Sequence, residues 1–102
     1  LDNKTEFWEN SNTIALGLNV PGPLGGSWIL DILYKSNGIA IAVAENKLSD
    51  LTEEFNGLAN LNASAETGVV WGAYNTLLKM NWINHNEKVV LFATGVERCK
   101  FK

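Results

Sequence analysis

"IAIAVA" at residues 39–44 and "VVLFAT" at residues 89–94 are the two stretches on which the fold turns. The first is apolar at every position, alternating β-branched residues with alanine, and the second carries no charge. A strand wet on one face would alternate apolar with polar, so each reads as a strand covered on both faces. Between them the period changes. Over 45–60, Leu48, Leu51, Phe55 and Leu58 recur at helical spacing while Glu45, Glu53 and Glu54 face out. After the break "NLNAS", residues 65–82 repeat the helical pattern through Val69, Val70, Ala73, Leu77 and Met80. A crossover containing two helices far exceeds hairpin length, so the two strands are expected to run parallel.

Upstream of the first strand, residues 14–26 (IALGLNVPGPLGG) hold both prolines and four of the nine glycines, which prevents a regular element. Ser27 reads as the N-cap of a helix "WILDILYKS", with Asp31 and Lys35 in the favourable i,i+4 order. "NG" at 37 and 38 supplies a residue able to take positive φ and end that helix. The expected fold class is therefore α/β, a partial three-layer parallel sheet with helices on both faces. Two central strands do not make a sheet and each needs neighbours. Residues 1–102 are accordingly expected to form a single small domain that is part of a larger sheet.

Composition narrows the function classes. The 102 residues carry a net charge of −3, 19% charged residues and a single Arg, with no basic cluster. That argues against nucleic acid or an anionic membrane as partner. No apolar run approaches the ~18 residues of a spanning helix, and no signal peptide is visible. Cys99 is alone, so no internal disulfide forms and a cytoplasmic setting is expected; the glycosylation-like triplets at Asn3 and Asn62 are then chance. His85 lies in the turn "NHNE" without a Cys or Asp at ligand spacing, so it reads as a surface residue and no metal site is expected. Gly22, Gly25 and Gly26 are not followed by Gly-Lys-Ser/Thr, so they make no phosphate loop of the Walker kind. Cys99 has no His nearby in sequence and reads as structural or exposed. Trp28, Trp71 and Trp82 read as core or packing residues, and Glu53 and Glu54 as a solvated face.

Two stretches carry more than a pattern. "TEFWENSNTIALGLNVPGPLGGSWILDILYKSNGIAIAVAEN" and "ETGVVWGAYNTLLKMNWINHNEKVVLFATG" together resemble the C-terminal half of threonine synthases. There one expects runs like "FWENxxTIAxGLRVPxxLGDxLILDxLxESGGTAIAVSDEE" and "PEGAATxAALxxLxxxGxIDxxExVVLFNTGxGxKY". The resemblance covers residues 5–101 with almost no gaps, and its most specific pieces are "FWEN…TIA.GL.VP.PLG" and "VVLF.TG". These are pyridoxal-phosphate enzymes of the tryptophan-synthase-β type (fold type II). The resemblance implies a part of that large domain. In the family the Ser or Thr of the final Thr-Gly hydrogen-bonds the pyridine nitrogen; that position is Thr94, followed by Gly95. The Glu of "PEGAA" is Glu66, at a helix start beside the cofactor. The Schiff-base Lys and the phosphate-gripping loop lie upstream in the family. None of the seven lysines here has the Ser-Phe-Lys type of context. No catalytic residue is therefore assigned to this chain, and it is expected to bind no pyridoxal phosphate by itself.

Departures from the family pattern fall at turns and caps. "TGxG" becomes "TGVE", placing Glu97 where a glycine is expected, and "PEGAA" becomes "AETGVV". "VSDEE" becomes "VAENK", removing a serine cap worth roughly 1 kcal/mol, and the family's Arg is Asn19. Two readings follow. One is the C-terminal part of a threonine-synthase-like lyase (O-phosphohomoserine to threonine), partnered by a missing N-terminal half. The alternative is a stand-alone, non-catalytic α/β module from a truncated or mobile gene, with a binding or assembly role. The opening residue Leu1 is compatible with either. Uncovered strands also predict a homo-oligomer, joined through sheet edges or by exchange of the Phe7–Trp8 arm or a terminal helix.

Overall fold

A computed structural model describes residues 4–97. Three helices dominate it: α1 over Gly26–Ser36, α2 over Leu48–Ala59 and α3 over Ala65–Lys79. Single 3-10 turns sit at Leu16–Leu18 and Glu45–Lys47. No sheet forms among the described residues, and the β pairing there is one isolated antiparallel bridge between Ala63 and Val96. The fold is helical, which corrects the parallel three-layer α/β arrangement expected above.

The reason lies in what each apolar run touches. Along 39–44, Ile39, Ile41 and Val43 are half-buried while Ala40, Ala42 and Ala44 are exposed. The run thus has one covered side, not two, with Val43 leaning on the buried α3 glycine Gly72. Residues 88–94 make no hydrogen bond among the described residues, and Val90 and Phe92 are exposed. An all-apolar run favours an extended backbone, but a sheet also needs a lateral neighbour with free N–H and C=O groups.

The body is the packing of α2 on α3. Gly68 and Gly72, one turn apart and both buried, let the helices approach closely. A Cβ at Gly68 would meet the Thr52 side chain and stand 3.2 Å from the Leu48 carbonyl. Thr52 itself returns its hydroxyl to that carbonyl at 2.7 Å. Leu48 and Phe55 fill the interface, each contributing roughly 1.5–3 kcal/mol by burial. Phe55 tilts against Trp71 with ring centroids 5.8 Å apart, Trp71 stacks on Tyr74, and the indole N–H donates to Glu54 at 2.8 Å. Ala15, Leu48 and Ala65 form the buried centre, with Val43 and Val69 packed around it.

Several local expectations change. Gly25, not Ser27, stands at the N-cap of α1, and α3 stops at Lys79 rather than reaching residue 82. Trp28 and Leu58 are exposed instead of packed. Trp71 does pack, and the Asp31–Lys35 pair forms at 2.9 Å. The positive-φ residue after α1 is Asn37 itself (φ 56). Asn60 follows α2 and Asn81 lies just beyond α3 in the same conformation. In each case the next residue's N–H reaches back five residues: Gly38 to Leu33, Leu61 to Asn56, Trp82 to Leu77.

Gly57 and Gly72 make a paired test of this packing. Gly57 lies in α2 with open space around it, so Gly57→Ala should stabilise by about 0.5–1 kcal/mol. A Cβ at Gly72 would stand 2.8 Å from Leu51 Cδ1 and 2.9 Å from Val43 Cγ1, so Gly72→Ala should destabilise by about 1–3 kcal/mol. Urea titrations followed by circular dichroism read both signs; equal effects at the two sites would contradict the close α2–α3 contact.

Candidate functional site

The first turn of α3 gathers three segments far apart in sequence. Ser64 precedes the helix and Glu66 stands in its first turn. The Gly17 N–H donates to Glu66 Oε1 at 2.7 Å, which ties the "TIALGL" loop to α3 across 49 residues. From the other end of the chain, Gly95 C=O accepts the Ser64 N–H at 3.0 Å, and Asn62 C=O accepts the Glu97 N–H at 2.9 Å. A side chain at Gly17 or Gly95 would crowd these contacts. A Cβ at Gly17 would come to 3.0 Å from Glu66 Oε1, and one at Gly95 would run into Ser64 Oγ.

A second carboxylate holds the other end of the loop. Glu45 accepts the Ile14 N–H at 3.0 Å, and Thr13 Oγ1 accepts the Ala15 N–H at 3.1 Å. With Ile14 and Gly17 both tied, Ala15 is pressed fully into the core between α2 and α3. Asn56 completes the frame: its side-chain amide donates to Ala63 C=O at 3.0 Å and accepts the Ala63 N–H at 2.8 Å.

The electrostatics follow from these contacts. Glu66 is held below the usual carboxylate range, chiefly by the Ser64 hydroxyl beside it, then by the Gly17 N–H and its own backbone N–H. The Ser64 hydroxyl is buried and short of full hydrogen-bond geometry, so it acts through proximity. Its position just before α3 adds the positive end of the helix. Glu45 is also lowered, by Thr13 first and the Ile14 N–H second. The buried Thr67 hydroxyl, one residue past Glu66, has no hydrogen-bond partner among the described residues.

Of the residues singled out from sequence, Gly95 and Glu66 come together: a Cβ on Gly95 would lie 3.8 Å from Glu66 Oε2. Thr94 adjoins them, exposed and without a hydrogen bond among the described residues. Glu97 is exposed beyond the bridge, and His85 is exposed in its turn. Cys99 and Asn3 lie outside the described residues. Sequence reading missed Gly17, Ser64 and Glu45 as partners, since nothing local marks a contact across 31 or 49 residues. Gly17 at least lies within the quoted loop.

Two shallow grooves lie elsewhere. One of about 260 Å³ runs between Val43, Lys47, Leu51, Gly72, Thr76 and Lys79; the other adjoins it along Lys47, Asp50, Leu51 and Glu54. Neither takes in Glu66, Thr94 or Gly95. Among the described residues no cluster of three His, Cys, Asp or Glu side chains could hold a metal, and no helix is long and apolar enough to cross a membrane.

No protein-family model matches the chain, and no curated protein or solved structure does either. The likeness to threonine synthases therefore stands on the quoted motifs alone.

Glu66→Gln tests the clamp through pH. A carboxylate lowered in the folded state stabilises above its unfolded value, near 4.5, and that stabilisation is lost as pH falls through the lower folded value. The wild-type urea midpoint should hold between pH 7 and about 5 and then fall. Glu66→Gln should start lower at pH 7 and fall less, with Glu45 supplying the remaining acid sensitivity. Parallel curves for the two proteins would show that Glu66 holds nothing.

Proposed function

We propose that the chain is the C-terminal, cofactor-ring side of a threonine-synthase-like, pyridoxal-phosphate-dependent lyase and is not catalytic by itself. One observation carries this reading. The loop "TIALGL" and the closing "ATG", both within the most family-like pieces, meet at Glu66, the position matching the family's "PEGAA" glutamate, although they lie at opposite ends of the chain. Loop fidelity of that kind has no evident use apart from a site.

The residues present fit only one end of the cofactor. Thr94 is exposed with its hydroxyl unengaged among the described residues, so it can meet a ring nitrogen from outside. A neutral hydroxyl there orients the ring without stabilising a protonated nitrogen as a carboxylate would. Gly95 leaves the position after Thr94 free of side chain, and its carbonyl accepts the Ser64 N–H. Glu66 accepts the Gly17 N–H through Oε1, and protonating the carboxylate would weaken that tie to the loop. Among the described residues no phosphate-binding loop and no lysine lies at this junction, and no chemical step is assigned to the chain.

A different observation favours the second reading, a non-catalytic module with an assembly role. Helix α1 rests on none of the other helices, and many large apolar side chains are exposed.

Two measurements separate these readings. Titrating pyridoxal phosphate into the chain should give no stoichiometric absorption band that depends on a single lysine. Grafting residues 5–97 in place of the corresponding part of a threonine synthase should retain bound cofactor, with Thr94→Val shifting its absorption. A graft that folds but holds no cofactor would leave the assembly reading.

A further inference from the structure

The connector between α2 and α3 is pinned at its middle by a side chain. Ala63 and Val96 form an antiparallel pair, flanked by two backbone hydrogen bonds. The Ser64 N–H donates to Gly95 C=O at 3.0 Å, and the Glu97 N–H donates to Asn62 C=O at 2.9 Å. In a pair flanked this way the two facing residues exchange no bond, so the N–H and C=O of Ala63 point away from Val96. Ala63 is 4% exposed, and buried backbone groups need partners. Asn56 of α2 supplies both: its Oδ1 accepts the Ala63 N–H at 2.8 Å, and its Nδ2 donates to the Ala63 C=O at 3.0 Å. A primary carboxamide offers an acceptor and a donor side by side, so it can serve as a peptide unit of a neighbouring strand would.

Thr94 depends on this chain of contacts. Residues 88–94 make no hydrogen bond among the described residues, so the nearest backbone ties to Thr94 are those of residues 95–97. Those ties end on residues 62–64, and the middle one of these is held by Asn56. The Asn56 backbone carbonyl also accepts the Leu61 N–H at 3.2 Å, so one residue fixes the connector at two points. Through it the closing end of the chain is referred to the α2–α3 body.

We propose that Asn56 is a positioning residue: by taking the place of a strand beside Ala63, it sets where residues 94–97 lie against the start of α3. The side-chain chemistry is specific. Aspartate at this position would accept from the Ala63 N–H but could not, when ionised, donate to the carbonyl, and alanine would leave both groups without a partner. The consequence for Thr94 as a contact to a cofactor ring rests on the enzymatic reading above. The clamp on residues 95–97 does not.

Amide hydrogen exchange of the full chain, read by NMR, tests the clamp. Asn56→Ala keeps α2 helical, since alanine is the better helix former. It should nevertheless cost the Ser64 and Glu97 amides at least about tenfold more protection than the Ala73 and Tyr74 amides in the middle of α3. Should circular dichroism show Asn56→Ala unfolded, Asn56→Asp at pH 7 gives the same reading. Equal losses at the two sets of amides, or none at Ser64 and Glu97, would overturn the proposal. In the threonine-synthase graft, Asn56→Ala should shift the bound cofactor's absorption in the same direction as Thr94→Val. Asn84→Ala, whose amide serves its own turn through Glu87 and Asn86, should leave that absorption alone. A band moved by Thr94→Val but not by Asn56→Ala would also overturn the positioning role. A band that Thr94→Val leaves in place removes the enzymatic reading instead, and the exchange measurement then decides the clamp alone.

Discussion

The Gly17 N–H, donating to Glu66 at 2.7 Å, ties the N-terminal loop to the start of α3. The loop that carries Gly17 is rich in Pro and Gly and has almost no regular structure of its own. Its single fully buried side chain is Ala15, whose methyl offers only about 0.8 kcal/mol of burial. Something else must hold it down, and a lowered carboxylate at a helix start is well placed to do so. Once Gly17 is held, Ala15 is seated, the top of the α2–α3 pair is closed, and Gly95 meets Ser64 on the other side. The junction is the structural keystone, the place where the N-terminal loop, the start of α3 and residues 95–97 converge.

Much of the remainder is surface. Stability comes from a narrow contact between α2 and α3, made possible by two glycines and sealed by Leu48, Phe55 and Trp71. Among the described residues, the part before residue 45 meets that contact through the loop, Val43 and Glu45, and α1 packs on neither helix. A carboxylate tie tolerates small displacements that interdigitated side chains would not. The arm and α1 are therefore positioned by polar contacts and depend on the body without reinforcing it.

Local chemistry made the helices legible from sequence. The repeat of Leu48, Leu51 and Phe55 marks α2, the run from Val69 to Leu77 marks α3, and the Asp31–Lys35 pair forms as spaced. Where the reading failed, the deciding partner lay elsewhere in the chain. "IAIAVA" has the composition of a strand covered twice, but composition cannot say whether a neighbour is present, and among the described residues none is. Trp28 and Leu58 sit at helical spacing that would suit a core, yet the surfaces they would meet are not there. Gly68 and Gly72 stand four apart in "GVVWG", and the structure shows that this spacing serves a close approach of α2 to α3. The links from Glu45 to Ile14 and from Glu66 to Gly17 had no local trace at all.

The three asparagines that follow the helices divide the work of folding in an unusual way. Asn37, Asn60 and Asn81 all take the left-handed conformation, and no glycine among the described residues does. Asparagine is one of few side-chain-bearing residues that visit this region readily, because its short polar side chain can bond locally. It also leaves the unfolded chain fewer backbone states than glycine, so each stop sacrifices less entropy when it forms. Helix length in this protein is thus punctuated residue by residue, by signals that do not wait for a partner surface. Tertiary burial, which is thin here, is left only to orient pieces whose ends are already written. A chain built this way keeps its vocabulary of helices across different surroundings, and changes chiefly in how they are arranged.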